Sequence, residues 1–167
     1  GERGIAILPE RVDEFRDGVQ RAADYAKALN CRQLNCLVGI APDGADAIDL
    51  NEVLVGNLRF AADVLAKQGL KLLIEPINTI DIPGFYLTST RQALDLIRTV
   101  GSDNLSVQYD IYHMQIMEGD VIRTLTQHKE AIGHFHTGGV PGRAEIDASQ
   151  ELNYPAIMRA IKATGFK

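Results

Sequence analysis

The chain has 167 residues, of which 46% are apolar and 23% charged, and its net charge at pH 7 is −5. These values describe one soluble globular domain long enough to bury a core. The acidic balance and the lack of a Lys/Arg cluster argue against nucleic acid as a partner, and no apolar run approaches the ~18 residues of a membrane span. No signal peptide is visible. The chain starts with Gly1 and not Met, which leaves room for a leader or a further segment ahead of it. Cys31 and Cys36 have no second Cys or Cys/His pair at zinc-site spacing, so they read as free structural thiols, suited to a reducing cytoplasm.

After an irregular opening over residues 1–8, Pro9 suits the first turn of a helix. Val12, Phe15, Val19, Ala22, Ala26 and Leu29 recur at steps of three and four, an amphipathic helix that Asn30 can end. Leu34 to Val38 reads as a short strand closed by Gly39, and Pro42 to Gly44 as a turn. A second helix is expected from about Asp49, as N-cap, to Gln68, with Gly69 as its stop. The apolar run Leu70 to Ile74 has no helical period and ends abruptly at Glu75 and Pro76. It reads as a strand buried on both faces, as in parallel sheets.

Ile80 to Gly84 is a loop. Ser89 or Thr90 caps a third helix that ends at Gly101. Leu105 to Tyr109 is the next strand and Asp110 its exit. Val121, Ile122 and Leu125 suggest a short helix. Ile132 to His136 is a further strand, residues 137–143 form a turn-rich loop, and Tyr154 to Ala163 is a last helix punctuated by Gly165.

Strands and helices therefore alternate, which implies an α/β fold with a parallel sheet and right-handed crossovers. A doubly wound sheet and a barrel both fit. The chain lacks a Gly-x-Gly-x-x-Gly after a strand and a Walker-type loop, which weakens the nucleotide-binding sheet. A complete (βα)₈ TIM barrel takes about 200 to 250 residues and eight strands, and about four parallel strands are visible here. The expectation is an incomplete barrel, one domain over residues 1–167 with material missing at both ends.

Glu75, Asp110 and His136 stand at the exits of three successive strands, where parallel α/β folds place their chemistry. Two carboxylates and an imidazole suit a divalent cation of the Mg²⁺ or Mn²⁺ type with open positions for water or substrate. Each residue alone has an ordinary alternative: a solvated strand-end carboxylate, or a hydrogen-bonded polar histidine. Three matching exits favour function. His113 follows Asp110 by three residues and suits either a contact to a substrate oxygen or a packed helix start. Arg143 suits a bidentate hold on an anionic group, with a solvated loop arginine as the plain reading. His134 shares the sheet face of His136 and reads equally as a buried core histidine; His136 is nearer the exit. His128 looks like surface. Asn78 and Gln108 are candidate hydrogen-bonders, and Tyr109 and Tyr112 packing residues.

Glu75-Pro76-Ile77-Asn78, Gln108-Tyr109-Asp110-Ile111-Tyr112-His113, Gly1-Glu2-Arg3-Gly4-Ile5-Ala6 and Glu151-Leu152-Asn153-Tyr154 together resemble the hydroxypyruvate isomerase family. That family belongs to the xylose-isomerase-like TIM barrels, related to ketose 3-epimerases and 2-oxo-tetronate isomerase. The resemblance covers essentially the whole chain and implies a segment from the loop after the third strand to just before the eighth. It implies a catalytic glutamate at Glu75 and a metal set of Glu75, Asp110 and His136. It implies substrate contacts from His113 and Arg143, with Asn78 added as a candidate. His134-Phe135-His136-Thr137-Gly138 is more similar to the epimerase branch, where the second histidine binds metal; hydroxypyruvate isomerases commonly carry Gln at that position. Arg143 lies one residue further from His136 than in the epimerases. The family's second catalytic glutamate lies on the eighth strand, outside these residues.

The implied reaction interconverts hydroxypyruvate and 2-hydroxy-3-oxopropanoate by metal-assisted enediolate proton transfer. A 2-oxo-tetronate isomerase or ketose 3-epimerase is the near alternative. An endonuclease-four-like nuclease or an inactive metal-binding fragment is the rival of another class. The expected partner is a small hydroxy-keto acid or sugar, with no nucleic acid and no membrane; the expected compartment is the cytoplasm, and a homo-oligomer is compatible.

Overall fold

Local chemistry starts and stops the elements largely where the sequence predicts. A computed structural model describes residues 2–166; Gly1, which begins the opening motif, and Lys167 lie outside them. Pro9 opens a 3₁₀ turn over Pro9–Arg11, continued by α1 (Val12–Ala28). Asn30 then takes a left-handed φ of 52°. The first strand, β1 (Gln33–Cys36), is shorter than the apolar run suggests, because Val38 leaves the sheet for an antiparallel bridge with Gly4. Gly4 has φ +104°, and a Cβ there would lie 2.0 Å from the carbonyl oxygen of Leu37. Only glycine permits that approach, which accounts for one glycine of the opening motif.

The next helix, α2 (Ala47–Ala66), is capped by Asp46 and not by Asp49. Asp46 has the extended backbone that lets its carboxylate accept from the Ile48 N–H, whereas Asp49 already lies within the first turn. After β2 (Lys71–Ile74) comes α3 (Thr90–Val100), where Ser89 accepts from the Gln92 N–H and Gly101 closes the helix at φ 69°. The strand β3 (Leu105–Asp110) passes directly into α4 (Ile111–Met117), a short helix the sequence pattern did not separate. Then follow α5 (Val121–Gln127), β4 (Ile132–His136) and α6 (Tyr154–Ala163), with Asn153 capping the last.

The four strands pair in parallel in the order β1-β2-β3-β4. Alternate residues divide the sheet into two unlike faces. Leu72, Ile74, Leu105, Val107, Tyr109 and Ile132 join the hydrophobic core with residues of α1, α2, α3, α5 and α6. The opposite face carries Asn35, Glu75, Ser106, Gln108, Asp110 and His136. Between Val107 and Gln108 the register with β4 slips: Val107 pairs with Ile132, but Gln108 pairs with His134. Gly133 is the extra residue of this bulge. The slip puts Phe135 opposite Tyr109 and His136 opposite Asp110. Among the described residues no helix is long and apolar enough to cross a membrane.

Candidate active site

The strand exits converge. Glu75 directly follows β2 and is 6% exposed; Asp110 ends β3 and is 1% exposed. His136 ends β4 with its side chain 45% exposed, and its Nδ1 lies 3.4 Å from Glu75 Oε1 and 3.9 Å from Asp110 Oδ2. The Gln108 amide nitrogen is 3.3 Å from the same Nδ1.

The two carboxylates are held differently. Glu75 Oε2 accepts from the Asn35 side-chain amide at 2.6 Å, while the buried Oε1 meets no hydrogen-bond donor among the described residues. Asp110 Oδ1 caps α4 by accepting from the Tyr112 N–H at 2.9 Å. Its Oδ2 accepts from Arg143 at 3.0 Å and lies 3.6 Å from His113 Nε2. Arg143 takes a left-handed φ of 52°, and its guanidinium sits 5.2 Å from the centre of the Tyr112 ring.

His113, in the first turn of α4, is 1% exposed. Ligating atoms of Glu75, Asp110 and His113 all lie within 4.8 Å of one another, a cation-sized cluster. The structure thus flanks the two carboxylates with two histidines, His136 at the open side and His113 at the buried side. Burial pushes the His113 imidazole below its ordinary range, against the pull of Asp110, so its neutral form is favoured. His134 is pushed down by burial and then by His136.

Behind His113 lies a polar layer. Asn78 is fully buried, and its side-chain amide nitrogen is 2.7 Å from His113 Nδ1 and 3.0 Å from Asp81 Oδ2. Asp81 also accepts from the Tyr112 hydroxyl at 2.9 Å. The Asn78 hydrogen bond, ahead of that from Tyr112, holds the Asp81 carboxyl below its usual range.

The structure brings Glu75, Asp110, His113, His136 and Arg143 into one mouth and sets Asn78 behind it. Sequence reasoning missed Asn35, whose only signal was a polar residue inside an apolar strand run. It also missed Asp81, and it gave Tyr112 to packing alone, although its hydroxyl joins the polar layer.

Acidic and histidine side chains at the carboxyl ends of parallel strands, with helices outside, define a site at the mouth of a TIM-barrel fold. The profile of the family described as xylose isomerase-like TIM barrel matches residues 3–167, and the chain belongs to that family. Hydroxypyruvate isomerase of Escherichia coli (strain K12) is 51% identical to it, over 99% of this chain and 64% of its own length. The 2-oxo-tetronate isomerase of Cupriavidus necator is 41% identical over the same shares. A solved structure described as AP endonuclease, family 2 from Brucella melitensis matches with a TM-score of 0.96 at 40% identity, covering 100% of this chain and 64% of that one. A structure of L-ribulose 3-epimerase matches in fold, with a TM-score of 0.80 at 23% identity, covering 98% of this chain and 55% of that one. The chain therefore spans 64% of the length of these two curated relatives.

Proposed function

We propose that the whole protein is an isomerase that interconverts hydroxypyruvate and 2-hydroxy-3-oxopropanoate, with a 2-oxo-tetronate as the near alternative substrate. Residues 1–167 belong to a single xylose-isomerase-like TIM-barrel domain of it. The observation that carries this reading is the convergence of Glu75, Asp110 and His136 at adjacent strand exits, in a chain 51% identical to a hydroxypyruvate isomerase.

The donors fit a divalent cation. Glu75 Oε1 is a buried carboxylate oxygen with no donor, a state that favours an ionic partner. Glu75, Asp110 and His136 would hold a Mg²⁺ or Mn²⁺ ion, since two carboxylates and one imidazole suit such hard cations. When bound, the ion supplies positive charge to oxygens that become negative as the proton leaves carbon.

The chain's own residues do the rest. The Glu75 carboxylate takes a proton from the hydroxymethyl carbon next to the ketone, leaving a cis-enediolate. It holds the proton while the hydroxyl proton passes from the oxygen of the hydroxymethyl carbon to the former ketone oxygen, and then returns it to the neighbouring carbon, so atoms and charge balance across the isomerisation. His113 donates to a substrate oxygen. Arg143, over the Tyr112 ring, turns from Asp110 to the substrate carboxylate. The walls formed by Asn78 and Tyr112 keep water from the buried side.

The substrate is a small hydroxy-keto acid; nucleic acid and membrane are not partners in this reading. The free thiols Cys31 and Cys36 support a cytoplasmic setting, and a homo-oligomer fits it.

The test is turnover of hydroxypyruvate and 2-oxo-tetronate by the whole protein with Mg²⁺ or Mn²⁺. Glu75→Gln is expected to lower kcat by about 10²–10⁴-fold, the contribution of a positioned base. Unchanged turnover on every candidate substrate would sink the assignment. A nuclease reading rests on the AP endonuclease description of the Brucella melitensis relative. Binding of duplex DNA at moderate salt would favour it, and the net charge of −5 opposes it.

A further inference from the structure

His113 has two nitrogens, and its surroundings treat them differently. Nδ1 faces the backbone N–H of Asn78 at 3.4 Å and the Asn78 side-chain amide nitrogen at 2.7 Å. The orientation of that amide is fixed by its other end. Asn78 Oδ1 accepts from the backbone N–H of Ile80 at 3.0 Å and of Asp81 at 2.8 Å. Backbone N–H groups only donate, so this end must be the oxygen. The NH₂ end therefore points one hydrogen at His113 Nδ1 and the other at Asp81 Oδ2, 3.0 Å away. Asn78 is fully buried, and every donor and acceptor of its side chain is used.

A nitrogen that meets two donors must offer a lone pair. The neutral ring then carries its proton on Nε2, the nitrogen that faces Asp110 Oδ2 at 3.6 Å. Nε2–H has no lone pair for a cation, and the lone pair of Nδ1 is occupied on the buried side.

We propose that Asn78 and Asp81 are positioning residues that lock His113 as the Nε2–H tautomer, making it a hydrogen-bond donor in the mouth and barring it from the cation's ligands. Asn78, expected from the sequence as a substrate contact, acts through His113. The compact trio Glu75, Asp110 and His113 is then not the ligand set; Glu75, Asp110 and His136 are. Asp81 holds the Asn78 amide and also the Tyr112 hydroxyl, so one carboxylate orients both the histidine and the ring beneath Arg143. Only the donor role towards substrate rests on the proposed isomerase reading; the tautomer stands apart from it.

The test is long-range ¹H–¹⁵N correlation of the histidine rings in the metal-free whole protein, above the histidine titration range. The His113 signals are assigned by their loss in His113→Ala. The expected spectrum has a pyrrole-like Nε2 and a pyridine-like Nδ1 at His113. A pyrrole-like Nδ1 in the unsubstituted protein would overturn the lock, whatever the variants do. In Asn78→Asp, which puts an acceptor against Nδ1, the two nitrogens are expected to exchange character or both become protonated. An unchanged tautomer there would also overturn it. Should that variant fail to fold, Asn78→Ala is the second arm: it removes the nearer donor to Nδ1, so a mixed tautomer is expected, and a pure Nε2–H signal would overturn the lock. In a Mn²⁺ titration read by electron spin echo, the directly bound imidazole nitrogen is expected to survive His113→Ala and to vanish in His136→Ala; the reverse would overturn the assignment. A locked tautomer in a protein with no isomerase turnover would defeat the proposed function and leave the lock intact. Turnover with a pyrrole-like Nδ1 would do the opposite.

Discussion

The two faces of the four-stranded sheet are built from the same strands and do opposite things. Ile74 and Glu75 are neighbours in sequence. Ile74 is fully buried in the core with the helices, while Glu75 turns to the other face and ends at Asn35 and His136. Likewise Tyr109 packs edge-on against Phe135 on the helix side, and Asp110 meets Arg143 and the histidines on the other. Period-two alternation thus divides stability from chemistry along each strand. The outer face gains free energy by removing apolar area from water. The inner face leaves a buried carboxylate oxygen without a donor, a feature that opposes folding and is retained at sites that bind charge.

Adjacent substitutions can break this division. The largest expected effect is on the inner face: Glu75→Gln should lose about 3–5 kcal/mol of transition-state stabilisation while leaving the urea midpoint of the chain nearly unchanged. The Asn35 contact survives, because the Gln amide oxygen can still accept. Next comes Ile74→Ala, one residue earlier, expected to lower unfolding free energy by about 2–5 kcal/mol through a core cavity, read by denaturant melts. A stability loss shared equally by both variants would erase the contrast. Gly133→Ala tests the join between the faces. Its Cβ would lie 2.8 Å from Leu73 Cδ2 and 2.9 Å from Ser106 Cβ, so about 1–3 kcal/mol of overpacking is expected in the same melts. The smallest effect is chemical. Burial pushes the Cys36 thiol up to about 12, while Cys31 is exposed. Iodoacetamide at mildly alkaline pH should label Cys31 at least about tenfold faster, as followed by peptide mass spectrometry.

Much of this arrangement is legible in the sequence because it rests on local rules. The span Tyr154–Ala163 is set by Asn153 and its periodic Ile157 and Ile161, and Ile132–His136 by its apolar start and the glycines after it. Glu75 and Asp110 stand out because a charge abruptly closes each apolar run. What was not legible is long-range pairing. Asn35 meets Glu75 across 40 positions and Asn78 meets His113 across 35, and no local pattern encodes such contacts. Asp46 and Asp49 are equivalent caps by composition; only the backbone at Asp46 separates them. His113 looks from the sequence like either a substrate contact or a helix start, and it is placed at both the helix start and the site.

The bulge at Gly133 gives β4 a property akin to a frame shift. Counted from Ile132, which faces the helices opposite Val107, strict alternation would send His134 and His136 outward and Phe135 inward. The single additional residue inverts odd and even for the remainder of the strand. Were Gly133 instead paired as an ordinary rung of the ladder, with no bulge, the sequence would be unchanged, yet a phenyl ring would replace the two imidazoles at the mouth. One backbone irregularity therefore determines which of two chemically unrelated surfaces β4 presents to the carboxylates of β2 and β3.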